Sequence, residues 1–192
     1  MSAVPTPPAA LVLDLALERA RLGLKGPRAT DWLESQGLEV PQAPNSWSEH
    51  GAGTGEASLL IARLGTSEYF LEQPAPAPKL AALGRAFDRE ASGVYPVLRE
   101  DTGLELRGAG VHAALAQVCN IEFAALTLGA RPIVMTLMMG IAVLVIAQGT
   151  ASDPRYRIWC DPTYGSALID ELGIVIRESG GCVRGETQGE SV

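Results

Sequence analysis

A short segment in which apolar and polar residues alternate, ending in a glycine and followed by a helical pattern, occurs twice in the chain. The first copy is Leu22-Gly-Leu-Lys-Gly26, and the second is Leu104-Glu-Leu-Arg-Gly108, 82 residues further along. Alternation with a period of two predicts a strand, whereas apolar residues spaced three and four apart predict a helix. Each copy therefore predicts a strand, a tight turn and a helix.

The helix of the second copy has a continuous apolar stripe, and the helix of the first copy has a shorter one. The longer stripe, at positions i, i+3, i+4, i+7 and i+8, consists of Val111, Ala114, Leu115, Val118 and Cys119. The shorter stripe consists of Ala29, Trp32 and Leu33. Pro27 in the first turn of this helix and Gly37 at its C-terminal end are typical of helix boundaries. Both stripes predict helices that pack on a sheet.

Two further strands, a second helix and a closing strand are predicted around each copy. In the first half the strands are 57–64, 68–73 and 94–98, with a helix at 79–90. In the second half they are 133–148, 156–160 and 182–184, with a helix at 166–179. Each half thus follows the order β-α-β-β-α-β, the split βαβ or ferredoxin-like arrangement. The predicted fold class is α+β, with two such units in tandem.

The two predicted units are residues 20–100 and 101–186. A unit of about 80 residues buries only about 60–65% of its surface on its own. We therefore expect the two units to pack together rather than to form independent domains. Residues 1–19 are predicted to be a flexible leader, and residues 187–192 a disordered tail.

Composition and charge narrow the possible functions. Apolar residues make up 47% of the chain and charged residues 19%, a balance typical of a globular protein. The 15 Lys and Arg against 22 Asp and Glu give a net charge of −7, so general affinity for nucleic acid is not expected. The longest apolar run, 133–147, is too short to cross a bilayer. We expect neither a nucleic-acid nor a membrane partner.

The chain has few residues that could form disulfides or bind metals. Its three cysteines, Cys119, Cys160 and Cys182, lie far apart and form no CxxC pair, and its two histidines are His50 and His112. These numbers predict neither a disulfide framework nor a zinc site. They favour a reduced, cytoplasmic setting.

Two glycine-rich segments resemble nucleotide-binding loops in part. Gly108-Ala-Gly-Val-His-Ala113 lies between a predicted strand and a helix, as a dinucleotide fingerprint does, but no plain strand ending in an acid follows about 20 residues later. Gly51-Ala-Gly-Thr-Gly55 lacks the lysine of a phosphate-binding loop. We interpret the first as a structural turn and the second as a mobile surface loop, with a partner contact as the alternative for that loop.

Polar side chains offer further candidates for chemistry. His112 lies in the first turn of a predicted helix and is either a packing residue or a general base, and His50 lies near the second glycine-rich segment. Glu100 and Asp101 are adjacent in an extended stretch, so their side chains face opposite ways. We interpret this acidic pair as a solvated connector, with general acid–base chemistry as the alternative.

A predicted strand near the C-terminus combines arginine with tryptophan. Alternation places Arg155, Arg157 and Trp159 on one face, which we expect to point outward. Because arginine and tryptophan are enriched in interface hot spots, this face and Trp47 are candidate contacts with a partner protein. The alternative is an ordinary strand whose arginine stems cover apolar surface.

Several segments, in the same order, resemble the sarcosine oxidase gamma subunit family. They are Leu22-Gly-Leu-Lys-Gly-Pro-Arg-Ala-Thr-Asp-Trp-Leu33, Pro44-Asn-Ser-Trp47, Leu64-Gly-Thr-Ser-Glu-Tyr-Phe-Leu71, Tyr95-Pro-Val-Leu-Arg-Glu-Asp101, Leu104-Glu-Leu-Arg-Gly108 and Leu115-Ala-Gln-Val-Cys-Asn120. The resemblance extends over residues 22–185. It implies a fold related to the folate-binding aminomethyltransferase of the glycine cleavage system, reduced to its two β-α-β-β-α-β units.

The resemblance also implies a function. It implies a gamma-type, non-catalytic subunit of a heterotetrameric flavoenzyme that oxidises sarcosine or a related N-methyl amino acid. The implied partners are larger flavoprotein subunits. FAD, FMN, NAD and tetrahydrofolate are implied to lie in those partners, where the one-carbon transfer takes place. No catalytic, cofactor-binding or metal-binding residue is implied in this chain.

Two alternatives remain open. The first is a stand-alone folate-binding protein of one-carbon metabolism with the same fold, in which Glu100 or Asp101 would face the pterin. The second is a paralogue that assembles only with itself.

Overall fold

The computed structural model describes residues 10–15, 18–51, 57–90 and 93–185. Within these ranges the chain forms eleven strands in two sheets and four α-helices, so the fold is α+β as predicted. The chain divides into two compact units. The six-stranded unit comprises Met1–Leu17, Asp101–Leu128 and Met135–Val192, and the five-stranded unit comprises Glu18–Glu100 and Gly129–Val134.

Strands and helices are numbered in chain order. The strands are β1 (Val12–Asp14), β2 (Arg19–Lys25), β3 (Ser46–His50), β4 (Leu59–Arg63), β5 (Glu68–Pro74), β6 (Tyr95–Val97), β7 (Thr102–Arg107), β8 (Ile133–Met138), β9 (Ile141–Gly149), β10 (Pro154–Cys160) and β11 (Cys182–Arg184). The α-helices are α1 (Ala29–Ser35), α2 (Pro78–Glu90), α3 (Val111–Val118) and α4 (Gly165–Glu178). Short 3₁₀ turns lie at Phe123–Ala125, Leu128–Ala130 and Pro162–Tyr164. None of the helices in the described ranges is long and apolar enough to span a membrane.

The five-stranded unit is an antiparallel sheet with two helices. Its strand order is β3-β4-β5-β2-β6, and each neighbouring pair is antiparallel. Apolar residues of β2, β4 and β5 form a core with α1 and α2, including Leu24, Leu33, Ile61, Tyr69, Leu71 and Leu80. The predicted stripe of α1 is confirmed, since Ala29, Trp32 and Leu33 are its buried residues.

The six-stranded unit has the strand order β11-β1-β7-β10-β9-β8. Strand β10 pairs antiparallel with β7 on one side and with β9 on the other. On one face of the sheet the aligned residues Leu13, Leu106 and Tyr156 are all buried. Helix α3 buries Val111, Ala114, Leu115 and Val118 of its predicted stripe, and α4 buries Leu168, Leu172 and Ile176.

The predicted flexible leader at 1–19 contains a strand. Strand β1 lies between β7 and β11, and Leu13 is fully buried. The N–H of Leu15 donates to the carbonyl of Arg184, and the N–H of Cys182 donates to the carbonyl of Leu11. The leader prediction is therefore wrong for residues 10–15, because a three-residue strand is too short for alternation to reveal it. Residues 1–9 and the predicted tail at 187–192 lie outside the described residues.

The apolar run predicted as one strand at 133–148 is a hairpin. Strand β8 ends at Met138 and β9 begins at Ile141. Met139 and Gly140 between them have φ angles of 51° and 81°, as in a two-residue type I′ turn. The turn was missed because Met-Gly is not one of the Asn-Gly or Asp-Gly pairs that signal it. Strand β3 at the edge of the other sheet was also not predicted.

The tight turn of the repeat is confirmed in both copies. Gly26 has a φ of 136°, and a Cβ at this position would collide with the carbonyl oxygen of Gly93. The equivalent Gly108 has a φ of 101°. Because L residues with side chains rarely adopt these φ values, both turns require glycine.

Candidate functional site

Strands β7 and β10 carry a row of charged side chains on one face of the six-stranded sheet. The register places Arg155 opposite Arg107 and Arg157 opposite Glu105. The carboxylate oxygen Oε1 of Glu105 lies 3.6 Å from Nε of Arg107 and 3.7 Å from Nε of Arg155. We call Glu105, Arg107, Arg155, Arg157 and Trp159 the charged face.

Two residues of the charged face are buried, contrary to the expected outward orientation. Arg157 and Trp159 are 4% and 2% exposed, and the guanidinium carbon of Arg157 lies 5.2 Å from the centroid of the Trp159 ring. Alternation along a strand shows which residues share a face but not whether that face is covered. The side chain of Arg155 is 43% exposed. Of these three residues, Arg155 is the one that a partner protein could reach.

Trp47, the fourth predicted contact residue, lies in β3 of the five-stranded unit. Its ring is partly buried, and the guanidinium carbon of Arg131 lies 5.3 Å from the ring centroid. The N–H of Trp47 also donates to the carbonyl of Arg131. The structure therefore places Trp47 in a different unit from the charged face.

The five-stranded unit contains a buried carboxylate that the sequence analysis missed. Glu72 in β5 is 1% exposed, and its Oε2 accepts a 2.8 Å hydrogen bond from Nε of Arg21. Nε of Arg19 lies 3.7 Å from Oε1. The alternation of arginine with apolar residues in β2 was the available signal. Both arginines belong to β2, which pairs with the strand of Glu72. We therefore interpret this cluster as a structural ion pair between neighbouring strands rather than a reactive site.

A cavity of about 510 Å³ in the six-stranded unit contains a histidine–tyrosine pair. Nε2 of His112 lies 2.7 Å from the hydroxyl oxygen of Tyr156, and this hydroxyl donates a longer hydrogen bond, 3.4 Å, to the carbonyl of Phe123. The rings of Phe123 and Tyr156 meet edge to face at 5.3 Å. The lining residues are His112, Phe123, Ala124, Leu126, Leu128, Gly149, Thr150, Ala151, Pro154 and Tyr156. We call this cavity the His–Tyr pocket.

The protonation of Tyr156 limits the chemistry of the His–Tyr pocket. Tyr156 is 1% exposed, and burial raises its pKa to about 12. The phenol therefore stays neutral near pH 7 and acts as a hydrogen-bonding group rather than as a base. His112 was predicted either to pack or to act as a base, and the structure shows it held by Tyr156. Tyr156 was predicted to be in a strand, but not to be the partner of His112.

The predicted acidic pair does not form a joint site. Glu100 is exposed, whereas Asp101 is partly buried and lies close enough to Cys160 to affect its protonation. Burial, followed by the charges of Asp101 and Asp161, raises the pKa of the Cys160 thiol. A protonated, buried thiol is a poor nucleophile.

The remaining sequence candidates give no further site. In the part of the chain that the structure describes, no three His, Cys, Asp or Glu side chains are grouped as metal ligands. Residues 52–56 of the glycine-rich loop lie outside the described residues. At the start of α3, Gly110 is the N-cap with a φ of 83°, which agrees with the interpretation of this segment as a structural turn.

Solved structures with the same fold include an oxidase and an aminomethyltransferase. The chain is similar to the heterotetrameric sarcosine oxidase from Corynebacterium sp. U-96 in complex with pyrrole 2-carboxylate. The TM-score is 0.67 and the identity 19%, covering 88% of this chain and 84% of that one. It is also similar to the glycine cleavage system aminomethyltransferase T from Bartonella henselae. There the TM-score is 0.56 and the identity 15%, covering 85% of this chain and 45% of that one.

These likenesses show the fold. The chain spans most of the matched sarcosine oxidase chain but less than half of the aminomethyltransferase. The sequence itself matches no protein-family model and no curated protein. The predicted relation to the aminomethyltransferase fold is thus supported, while membership of the gamma subunit family stays a prediction.

Proposed function

We propose that this chain is the gamma-type, non-catalytic subunit of a cytoplasmic heterotetrameric flavoenzyme that oxidises sarcosine or a related N-methyl amino acid. The observation that carries the proposal is the likeness to a sarcosine oxidase chain over 88% of this chain and 84% of that one. A likeness that covers most of both chains favours an equivalent subunit. The chain matches 45% of the aminomethyltransferase, so we propose that it shares that part of the fold. Each half has one more strand than predicted, in the order β-α-β-β-β-α-β.

In the proposed complex the chemistry takes place in the partner subunits. A flavin in those subunits would supply the oxidation of the N-methyl group, and tetrahydrofolate would accept the one-carbon unit as the demethylated amino acid is released. FAD, FMN, NAD and tetrahydrofolate are bound by the larger subunits. This chain contributes contact surface.

An exposed apolar strip on β8 is the strongest candidate for that contact. β8 is the edge strand of the six-stranded sheet, and Met135 and Leu137 are 56% and 60% exposed. Since they are two residues apart, they lie on the same face. An uncharged edge strand with large exposed apolar side chains is typical of surfaces that pair with another protein. Arg155 and Trp47 are proposed as further contacts.

Co-expression with candidate flavoprotein subunits tests the proposal. We expect the chain alone to be colourless and inactive, and to co-purify with larger chains that carry flavin. A yellow, active preparation of this chain alone would contradict the proposal, as would failure to join any sarcosine oxidase-type complex.

The contact strip can be tested separately in that complex. Replacing Met135 and Leu137 together by Glu should weaken subunit association at least tenfold, because each substitution places a charge in an apolar contact. The matched control is Ile174→Glu, since Ile174 is also apolar and 48% exposed but lies on α4. Equal association by the double variant and the wild type would exclude this strip as the contact.

The likeness to the aminomethyltransferase favours a second candidate function, a stand-alone folate-binding protein. In that case Glu100 or Asp101 would face the pterin. Calorimetric titration of the isolated chain with tetrahydrofolate distinguishes the two functions. Saturable binding that Asp101→Asn or Glu100→Gln weakens would favour the second candidate, whereas absence of heat would favour the subunit role.

A further inference from the structure

We propose that the His–Tyr pocket binds a small, uncharged, planar heteroaromatic molecule that donates one N–H hydrogen bond to His112. This site is independent of the proposed subunit function, because its lining includes none of the proposed contact residues. The proposal follows from the size of the pocket, its walls, its lack of charge and the contact between His112 and Tyr156.

The size and walls of the pocket favour a flat apolar ligand. Small-molecule sites usually have volumes of about 300–1,000 Å³, and this pocket has about 510 Å³. Phe123 and Tyr156 present aromatic rings, while Leu126 and Pro154 add aliphatic surface. A planar aromatic ring buries a large area with little loss of conformational entropy and can pack against the neighbouring rings.

The uncharged lining of the pocket disfavours an ionic ligand. Among the described residues, none of those that line the pocket is Lys, Arg, Asp or Glu. A carboxylate or phosphate entering the pocket would lose hydration without gaining a counter-ion, which is costly. The ligand class is therefore uncharged.

His112 supplies the polar contact. Its Nε2 is held at 2.7 Å by the hydroxyl of Tyr156, and this hydroxyl donates to the carbonyl of Phe123. If the tyrosine proton is directed at Phe123, Nε2–H of His112 donates to the tyrosine oxygen, and Nδ1 carries the lone pair. Within the described part of the chain His112 makes no hydrogen bond through Nδ1. Because His112 lines the pocket, we assign Nδ1 as the acceptor for a ligand N–H.

Histidine NMR on the full chain gives a direct test, because the chain has two histidines. His112 reports on the pocket, and His50, in the five-stranded unit, is the internal control. Indole is the probe, since it is uncharged, planar and has one N–H. We expect saturable shifts of the His112 ring signals, with no saturable shift of His50. Absence of a saturable His112 shift up to the solubility limit of indole would overturn the proposal.

Two further ligands test the two chemical requirements in the wild-type protein. 1-Methylindole lacks the N–H, so its affinity should be about fivefold lower than that of indole, as expected for loss of one hydrogen bond worth about 1 kcal/mol. Benzoate is flat but anionic and should not shift His112. Equal affinity for indole and 1-methylindole would overturn the proposed role of His112, and tight benzoate binding would overturn the uncharged ligand class.

Blocking the pocket provides the matched protein control. Ala124 is exposed and lines the pocket, so Ala124→Trp should fill it without overpacking the core, and indole affinity should fall at least tenfold. Ala82→Trp introduces the same side chain on α2, where Ala82 lines two cavities of the five-stranded unit. It should leave the His112 response unchanged. A full His112 response in Ala124→Trp would contradict the location of the site.

Discussion

Glu68 and Glu72 lie on the same strand, and each pairs with an arginine, but the two pairs differ in burial. The side chain of Glu68 is 43% exposed and lies 3.1 Å from Arg99, whereas the side chain of Glu72 is fully buried and lies 2.8 Å from Arg21. Exposed ion pairs contribute little to stability because water screens them. Removing one partner of a buried pair is costly because the other charge stays in a poorly solvated place.

We therefore predict a large difference between two alanine substitutions on β5. Glu72→Ala should lower the free energy of unfolding by about 3 kcal/mol. Glu68→Ala should lower it by about 0.5 kcal/mol or less. Urea denaturation monitored by circular dichroism measures both, and similar losses for the two variants would show that the Glu72 pair is solvated.

Ionisation of Tyr156 is predicted to lower the free energy of unfolding at high pH. Burial raises its pKa from 10.0 to about 12 in the folded protein. The raised pKa means that the folded state holds this proton more tightly than the unfolded state does. The resulting stability is fully present below pH 10 and is lost as pH rises from 10 to about 12. The full effect is on the order of 3 kcal/mol.

The Tyr156→Phe variant isolates this effect. At pH 8 we expect it to be less stable by about 1 kcal/mol, because the hydroxyl no longer bonds to His112 and Phe123. Between pH 10 and 12 the difference in unfolding free energy should shrink, since the variant has no phenol to ionise. Parallel urea titrations at several pH values measure the difference. A constant difference would argue against a raised pKa for Tyr156.

At the level of elements, the sequence predicts the helices well and the sheet partners poorly. The apolar stripes of α1 and α3 specify which face of each helix is buried, and the structure buries those faces. Strand β1 has three residues and its pairing is with β7 and β11, far along the chain. No local pattern encodes such a partner. The hairpin at Met139 and Gly140 is missed because Met-Gly is not a typical turn pair and both of its strands are apolar.

The candidate site shows the same limit. The pattern of β10 correctly places Tyr156 on the opposite face from Arg155, Arg157 and Trp159. It does not reveal that Arg157 and Trp159 are buried, because the residues that cover a face of a sheet are distant in the sequence. The partner of His112 is 44 residues away in the chain, so the His–Tyr pair depends on how α3 packs on the sheet.

Strand β1 allows a direct test of its structural role. Leu13 is fully buried in β1, so Leu13→Ala should lower the free energy of unfolding by about 3 kcal/mol. A flexible leader would predict no change. Leu98→Ala is the control, because Leu98 is 81% exposed and should lose little. Thermal and urea unfolding of both variants measure the difference. A Leu13→Ala variant as stable as the wild type would show that β1 does not contribute to the stability of the fold.

At the scale of the whole molecule, neither unit is one continuous stretch of chain. The six-stranded unit takes β1 from the start of the chain, and the five-stranded unit takes Gly129–Val134 from the second half. In the five-stranded unit this second piece pairs Pro132 with Ser46, and Ile133 donates its N–H to the carbonyl of Asn45. Each half of the sequence thus supplies a segment that the unit in the other half needs.

This exchange predicts that the two halves of the chain, 1–100 and 101–192, fold together and not separately. Expressed alone, 101–192 lacks β1, which in the described structure is the only sheet neighbour of β11. Co-expressed halves should form a 1:1 complex, measured by light scattering. Leu13→Pro in the first half should reduce the yield of this complex, because proline cannot donate a backbone hydrogen bond to a neighbouring strand. The control, Leu98→Pro, changes an exposed residue outside any strand. If 101–192 alone unfolded cooperatively at the temperature of the intact chain, the exchanged segments would contribute little, and the boundary at residue 100 would separate two independent folding units.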